Sequence, residues 1–245
     1  MKKLISSFFN FNWLPKKAQL YVQDCPEILF TFRILFVAIF VLLVLDFAPI
    51  DRNGYLGNLF AEFHGLAFDL IVFGILIVVY NRIIEKRRSR EQDIKRWQEE
   101  IDDFRHWPAK EAAYRIAGNI RRLNRNGIYE IDLSDCNLSD VVLDNANLSG
   151  SNLAYVDFCG AQLLAVDFSM AKMFHAEFIK ADLSWAIFNK ADMYRADFRG
   201  AINLEVDQFD NSFSLYGAKL DPELEAQVRE KYPHLLEEPK EKQKA

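Results

Sequence analysis

The sequence of 245 residues predicts an α + β-solenoid chain, in which membrane helices precede a stacked repeat. Two observations predict this fold class. Two long apolar segments in the first third of the chain are typical of membrane spans. A large apolar residue then recurs at every fifth position from Ile128 to Phe198. A period of five fits neither a helix nor an extended strand, so it indicates units that each turn a corner and stack on a neighbour.

The two apolar segments form a predicted membrane domain over residues 29–84, with a lipid bilayer as its partner. Residues 34–45 read ILFVAIFVLLVL without a charge, and extension to residues 29–50 gives about 20 residues, enough for the hydrocarbon core. The second predicted transmembrane helix, residues 64–84, has a shorter uninterrupted run. We expect it to span only if its ends place polar residues at the interface or inside a bundle, and a buried soluble helix is the alternative.

Basic residues set the predicted orientation. Five flank the first segment on its N-terminal side and five follow the second, whereas the loop between them holds only Arg52. The positive-inside rule then places both termini in the cytoplasm and the multi-pass domain in the inner membrane. Residues 1–28 form a cytoplasmic segment whose aromatic part is a candidate for the membrane interface or for a frayed terminus.

Four polar residues lie within the predicted membrane domain and form a candidate intramembrane site. They are Asp46, Glu62, His64 and Asp69. Ionisable residues at membrane depth indicate function by default, here an ion or proton path in an oligomer. An interfacial or interhelical hydrogen-bonding role is the alternative.

A helical linker and cap is predicted over residues 85–127. Its first helix carries an apolar stripe at spacings of three, four and three residues, formed by Ile94, Trp97, Ile101 and Phe104. This stripe is a candidate oligomer seam, which would pair with another copy as a coiled coil or with the next helix of the same chain. Pro108 favours the start of that next helix, and Asn126-Gly127 its end.

The fifteen recurring apolar residues also show a longer period of twenty. Stepping by twenty collects phenylalanine with phenylalanine, in Phe158, Phe178 and Phe198 and in Phe168 and Phe188, with Phe209 following if one residue is inserted. Aliphatic residues collect on the other two sides. Like-on-like ladders are typical of stacked coils, so the sequence predicts four sides and twenty residues per coil.

A small residue stands two places before most of these positions, and Asp or Asn often stands one place before. This pattern, seen in ADLSW and ADMYR, resembles the A(D/N)LXX motif of the pentapeptide-repeat family. The resemblance implies a right-handed quadrilateral β-helix of about four to five coils over residues 128–220. Valine replaces the small residue at Val141, Val156 and Val166. The register slips by one residue after Ala201, where we expect a bulge or a loosening of the coil.

Helices are expected to cover both open ends of the β-helix. The helix that ends at Leu123 is placed at one end, and residues 221–236 are placed at the other. In the second helix Asp221 is expected to cap, Pro222 to begin the first turn, and Leu224 and Val228 to face inwards. Residues 237–245 are charged and are expected to be disordered.

The sequence shows no catalytic, cofactor-binding or metal-binding constellation. It contains no Gly-rich phosphate loop, no HExxH motif and no nucleophile elbow, and its three cysteines are scattered. The family pattern places a row of carboxylates on the outer wall near turn amides, rather than in acid–base roles. This row is Asp132, Asp157, Asp167, Asp182, Asp192 and Asp197. Fourteen acidic and five basic residues between Ile128 and Gly217 make the repeat acidic, which disfavours nucleic acid as a direct partner.

The sequence therefore predicts a non-enzymatic, membrane-anchored protein that displays a cytoplasmic β-helix as a scaffold for an unidentified cytoplasmic protein. The alternative is an oligomeric two-span channel or membrane-disrupting effector, in which the β-helix is a sensor or assembly domain. The polar residues of the membrane domain and the apolar seam favour this alternative.

Overall fold

The computed structural model describes residues 55–239. The chain forms two compact units, Met1–Ser89 and Arg90–Ala245. The described helices are α1 (Tyr55–Phe104), α2 (Lys110–Arg125) and α3 (Pro222–Lys231), with two 3-10 helices at Val206–Phe209 and Pro233–Leu236. The predicted segment 1–28 and first span lie outside the described residues, as does most of the predicted disordered tail.

The N-terminal part of α1 carries many exposed apolar side chains between residues 66 and 83. Within residues 55–239, no helix is both long and apolar enough to cross a membrane. The second predicted span, residues 64–84, is therefore not supported.

The repeat consists of coils that pair through single residues on each side. Eleven parallel bridges join residues twenty apart, beginning with Asp132 to Asn152 and Asn137 to Asp157. At each bridge the two coils exchange hydrogen bonds: the N–H of Leu133 donates to the Asn152 carbonyl (2.8 Å), and the N–H of Asn152 donates to the Ile131 carbonyl (3.0 Å). The predicted coil length of twenty is confirmed, and the right-handedness implied by the resemblance stays a prediction.

The interior of the coils is filled by the recurring apolar residues. From Leu133 to Phe198 every one of them is at most 1% exposed. Phe158 and Phe178 stack with centroids 5.3 Å apart, Phe178 and Phe198 at 4.9 Å, and the second column repeats this at 5.5 Å between Phe168 and Phe188. Rings of the two columns meet edge to face, as at Phe168 and Phe178. These geometries are those that aromatic pairs prefer, so the predicted ladders are confirmed.

Each corner of a coil is a tight turn with one residue in the left-handed region. The fifth residue of each five takes a positive φ, from Asp135 (57°) to Arg195 (57°), and the next N–H closes the turn onto the carbonyl three residues back, as from Cys136 to Leu133 (3.0 Å). Glycine occupies this corner at Gly150, Gly160 and Gly200, where the conformation is free of Cβ strain. Elsewhere the corner is non-glycine, at a cost of order 1–3 kcal/mol each.

Helix α2 covers the first coil, as predicted. Its apolar side, including Ile116, Ile120 and Leu123, is fully buried in the core of the repeat. The side chain of Asn124 then acts as one rung of the next coil. Its Nδ2 donates to the Asn147 carbonyl (2.9 Å), and its Oδ1 accepts from the Asn147 N–H (2.7 Å). This satisfies an edge that would otherwise recruit other strands.

Arginines saturate further groups of the same edge. Arg105 donates to the carbonyl and hydroxyl of Ser134, and Arg121 donates to the carbonyl of Val142. Two side chains of α2 and the side chain of Arg105, which directly follows α1, thus replace the hydrogen bonds that a preceding coil would supply.

The opposite end of the repeat is covered by α3 and the second 3-10 helix. Val228 and Leu235 are buried, and Leu224 packs against the core. The predicted cap at Asp221 is wrong in one respect. Asp221 stands at the N-cap of α3, but its side chain makes no cap hydrogen bond and instead accepts from the Gly200 N–H at 3.1 Å. The carboxylate of Asp221 therefore binds the N–H of Gly200, a fifth-position residue of the last regular coil.

The register shift after Ala201 is larger than the single residue considered from the sequence. The Phe209 ring lies 5.7 Å from the Phe188 ring at a tilt of 30°, which corresponds to one inserted residue. The last bridges, however, join Asp192 to Ser214 and Asp197 to Lys219, which are 22 residues apart. The 3-10 helix at Val206–Phe209 takes up the first extra residue. The predicted register slip is confirmed, and it consists of two inserted residues rather than one.

The candidate oligomer seam is used within the chain. Ile101 is buried, and Ile94, Trp97 and Phe104 pack against the same core as α2 and the first coil. Arg115 of α2 lies over the Phe104 ring at 5.4 Å and pairs with Glu100 at 3.4 Å. The apolar stripe of α1 thus packs within the same chain, the second of the two alternatives given by the sequence. A homo-oligomer stays a prediction, and it would need another surface.

We predict that Phe178→Ala destabilises the repeat by about 3–5 kcal/mol, because it removes a fully buried ring that stacks on two others. Denaturant unfolding of the full chain, followed by circular dichroism, measures the loss. Phe213→Ala is the matched control, since that ring is 45% exposed. Equal losses for the two variants would contradict the ladder as the stabilising element.

We predict that Asn124→Ala costs about 1–3 kcal/mol, because it leaves the N–H and carbonyl of Asn147 without their partner at the coil edge. Hydrogen exchange at the Asn147 amide should accelerate. Asn189→Ala serves as the control because that side chain is exposed. Unchanged exchange at Asn147 would show that the edge is satisfied in another way.

Candidate functional site

The outer wall of the coils is formed by the second, fourth and fifth residues of each five. The second residue supports the corner itself. In each member of the predicted carboxylate row, Oδ1 accepts the N–H two residues later, at 2.8–3.2 Å, as from Ser134 to Asp132 and from Cys159 to Asp157. The predicted placement near turn amides is confirmed. These carboxylates hold turns, which is the conformational role typical of Asp and Asn.

Hydrogen bonds keep three of these carboxyl groups ionised. The guanidinium of Arg199 (2.7 Å), with Lys219 at 3.3 Å, holds the pKa of Asp197 below its usual value. The hydroxyl and N–H of Ser184 lower the pKa of Asp182. At Asp132 burial acts to raise the pKa, but Ser134 and Arg105 outweigh it and the pKa is lowered.

Aromatic side chains form a continuous stripe along one wall. This aromatic face consists of Tyr155, Phe174, His175, Tyr194 and Tyr216. Tyr155 and His175 stack with centroids 5.0 Å apart and planes 5° apart. His175 meets Tyr194 at 6.1 Å, and Tyr194 meets Tyr216 at 5.7 Å. Four successive coils therefore contribute rings to one surface.

The coil length explains how these residues meet. Tyr155 and His175 are twenty apart at the fifth position, and Phe174 and Tyr194 are twenty apart at the fourth. Arg195 lies over the Tyr194 ring at 5.1 Å and adds a cation to the face. Tyr155 is 58% exposed, and the other four rings are half-buried. Tyrosine and arginine with apolar bodies and polar tips are the residues that protein interfaces favour.

Sequence reasoning missed the aromatic face. The signal was present, because the same step of twenty that predicts the interior ladders also pairs Tyr155 with His175. Most outward positions of the repeat are polar, so a pattern based on the interior residues does not mark the aromatic residues among them.

The wall next to the aromatic face carries a mixed cluster. Asp157, Cys159 and Glu177 each bring one possible ligand atom within 4.8 Å of the others. Burial raises the pKa of the Cys159 thiol to about 12, which keeps it protonated and a weak metal ligand. Cys136 is buried in the core, and burial likewise raises the pKa of its thiol to about 12. Both of these cysteines are free.

The structure shows little of the candidate intramembrane site. Glu62 and Asp69 are exposed on α1, and His64 belongs to the same helix. Asp46 lies outside the described residues. The four residues are thus not shown to form one site.

Comparison with known proteins decides the family of the repeat. A model of pentapeptide repeats matches the chain with eight copies, over residues 131–169, 143–178 and 167–202. Pentapeptide repeats thus occupy residues 131–202 of this chain. The pentapeptide repeats predicted from the sequence are therefore confirmed, and they cover the coils described above. No curated protein matches the chain.

Solved pentapeptide-repeat proteins are similar to this chain over part of its length. One from the thylakoid lumen of Arabidopsis thaliana is 22% identical, with 40% of this chain and 74% of that chain covered at a TM-score of 0.24. One from Nostoc PCC 7120 is 21% identical, with 42% and 94% covered at 0.19. QnrB1, a plasmid-mediated fluoroquinolone resistance protein, is 25% identical, with 43% and 44% covered at 0.18. At such TM-scores the assignment depends on the family model.

We predict that Asp197→Asn flattens the acid side of the stability profile. A carboxyl group whose pKa is lowered on folding contributes stability above its unfolded pKa, near 3.9, and loses it as the pH falls through the lowered folded value. The wild-type free energy of unfolding should therefore drop below about pH 4, and the variant should drop less. Denaturant titrations at pH 2–7 measure this, with the exposed Asp210→Asn as control. Parallel profiles for Asp197→Asn and wild type would show that Asp197 does not contribute to the loss of stability at low pH.

Proposed function

We propose that this protein is a non-enzymatic scaffold, anchored in the inner membrane, whose pentapeptide repeats bind a cytoplasmic protein. The single observation that carries the binding role is the aromatic face, where Tyr155 stacks on His175 and His175 meets Tyr194 edge to face over three coils. Aromatic side chains supply a large contact area with little loss of conformational freedom on binding, as binding surfaces require.

The rigidity of the face supports the same role. Tyr155 and His175 are corner residues, and hydrogen bonds between coils fix their backbone. The Tyr155 N–H donates to the Phe174 carbonyl (2.8 Å), and the His175 N–H donates to the Tyr194 carbonyl (3.0 Å). The rings are therefore held in place before a partner arrives. Binding to a preorganised surface avoids much of the entropy cost of ordering it.

The exposed part of α1 supports the membrane anchor. Between Leu66 and Ile83, eleven large apolar side chains are 37–65% exposed. At 100° per residue they cover about 220° of the helix circumference. An exposed apolar surface of this width needs an apolar environment on more than one side, which a bilayer supplies and a single groove does not. The charge-free segment 34–45, a predicted first span, adds to this argument.

We predict that replacing Tyr155, His175 and Tyr194 by alanine removes a specific partner that co-purifies with the wild-type chain after cross-linking in membranes. Quantitative mass spectrometry of the captured proteins measures the loss, expected to be at least tenfold for a cluster of hot-spot residues.

The matched control removes three apolar side chains from another wall, by Val142→Ala, Leu164→Ala and Trp185→Ala. This variant should keep the partner. Recovery that is the same for both triple variants and for a chain without the pentapeptide repeats would defeat the scaffold proposal. Recovery of the chain in the soluble fraction would defeat the anchor.

A further inference from the structure

Four basic residues surround α1 directly after its apolar part. They are Arg82, Lys86, Arg87 and Arg88, and all four are exposed. At 100° per residue they point to different sides of the helix, so they form a ring rather than a stripe. We call them the basic ring. Among the ion pairs between described residues, none includes a member of the ring.

We propose that the basic ring binds the headgroups of anionic phospholipids in the membrane that holds α1. This inference rests on the proposed membrane anchor and goes beyond it, because it names the lipid class that the anchor selects.

The first argument is the abrupt change in chemistry along the helix. The side chains of Val79, Tyr80 and Ile83 are 49–64% exposed, and the basic ring starts between them at Arg82. Tyrosine at such a junction is typical of the membrane interface, where its ring contacts lipid tails and its hydroxyl contacts headgroups.

The second argument is dimension. Residues 82 to 88 extend about 9 Å along the helix axis, which is close to the roughly 5–8 Å depth of the headgroup layer on one side of a bilayer. A ring of this height places four cations at the level of lipid phosphates. An amphipathic stripe would instead indicate a helix lying on the surface or in a protein groove.

The third argument is charge. Glu85 is the single acidic residue between Arg82 and Arg88, so the ring keeps a net charge of about +3. Basic side chains next to a membrane are attracted to anionic lipid, whereas neutral zwitterionic headgroups offer no net charge to them. The arrangement therefore discriminates between the two lipid classes.

The test reconstitutes the full chain in phosphatidylcholine vesicles that contain a trace of spin-labelled phosphatidylglycerol or spin-labelled phosphatidylcholine. The motion-restricted fraction of each label gives the relative association of the two lipids with the protein. We expect phosphatidylglycerol to associate about fivefold more strongly, the factor that corresponds to ~1 kcal/mol, and the preference to shrink in 0.5 M salt. The variant R82Q/K86Q/R87Q/R88Q should show no preference.

The matched control is K95Q/R96Q/R125Q/R229Q, which removes the same number of exposed basic residues from outside the ring. It should keep the wild-type preference. A preference that survives in the ring variant, or that the control also loses, overturns the assignment to the ring.

Two further outcomes separate this inference from the anchor. Motion-restricted lipid without any preference overturns the inference and leaves the anchor standing. Absence of motion-restricted lipid means that no bilayer contacts the protein, and both proposals fail. Loss of a co-purifying acidic protein in the ring variant, without lipid preference in the wild type, would assign the ring to a protein and overturn the inference.

Discussion

The structure depends on one constraint: each coil must close in twenty residues and pair with the next through single bridges. A bridge such as that between Asn147 and Asp167 supplies few backbone hydrogen bonds, because the chain turns after two or three extended residues. Stability must then come from the interior. The phenylalanine columns, with centroids 4.9–5.5 Å apart in the regular coils, match the spacing of stacked strands and so pack without voids.

The same constraint determines the outer wall. Corners in the left-handed region are unfavourable for most side chains, yet Tyr155, His175 and Trp185 occupy them. A glycine at each corner would relieve this strain but would remove the fifth-position side chains from the wall. Tyr155 and His175 occupy successive corners of the aromatic face, which agrees with a surface that binds, and the interior ladders offset the strain.

Sequence reasoning succeeded where one residue type repeats at one spacing. The twenty-residue coil, the Phe158–Phe178–Phe198 column and the covering helices all follow from periodicity, because burial selects the same type at each turn. It failed where a side chain chooses between two local partners. Asp221 could cap α3 or accept the Gly200 N–H, and the second partner is 21 residues away in the sequence, so the local pattern at Pro222 does not reveal it. The partner of the apolar stripe at Ile94 and Ile101 was likewise undecided, because an apolar face can be covered by another copy or by the same chain.

The rung that Asn124 provides has a consequence for how the chain is made. The amide of this side chain reproduces one bridge of a coil that does not exist, so the first coil finds a finished surface on which to close. Synthesis delivers α2 before the repeats, and each new turn of twenty residues contacts only the one before it. We expect the solenoid to grow in the direction of translation, one layer at a time, with its growing end as the only exposed sheet edge until α3 arrives.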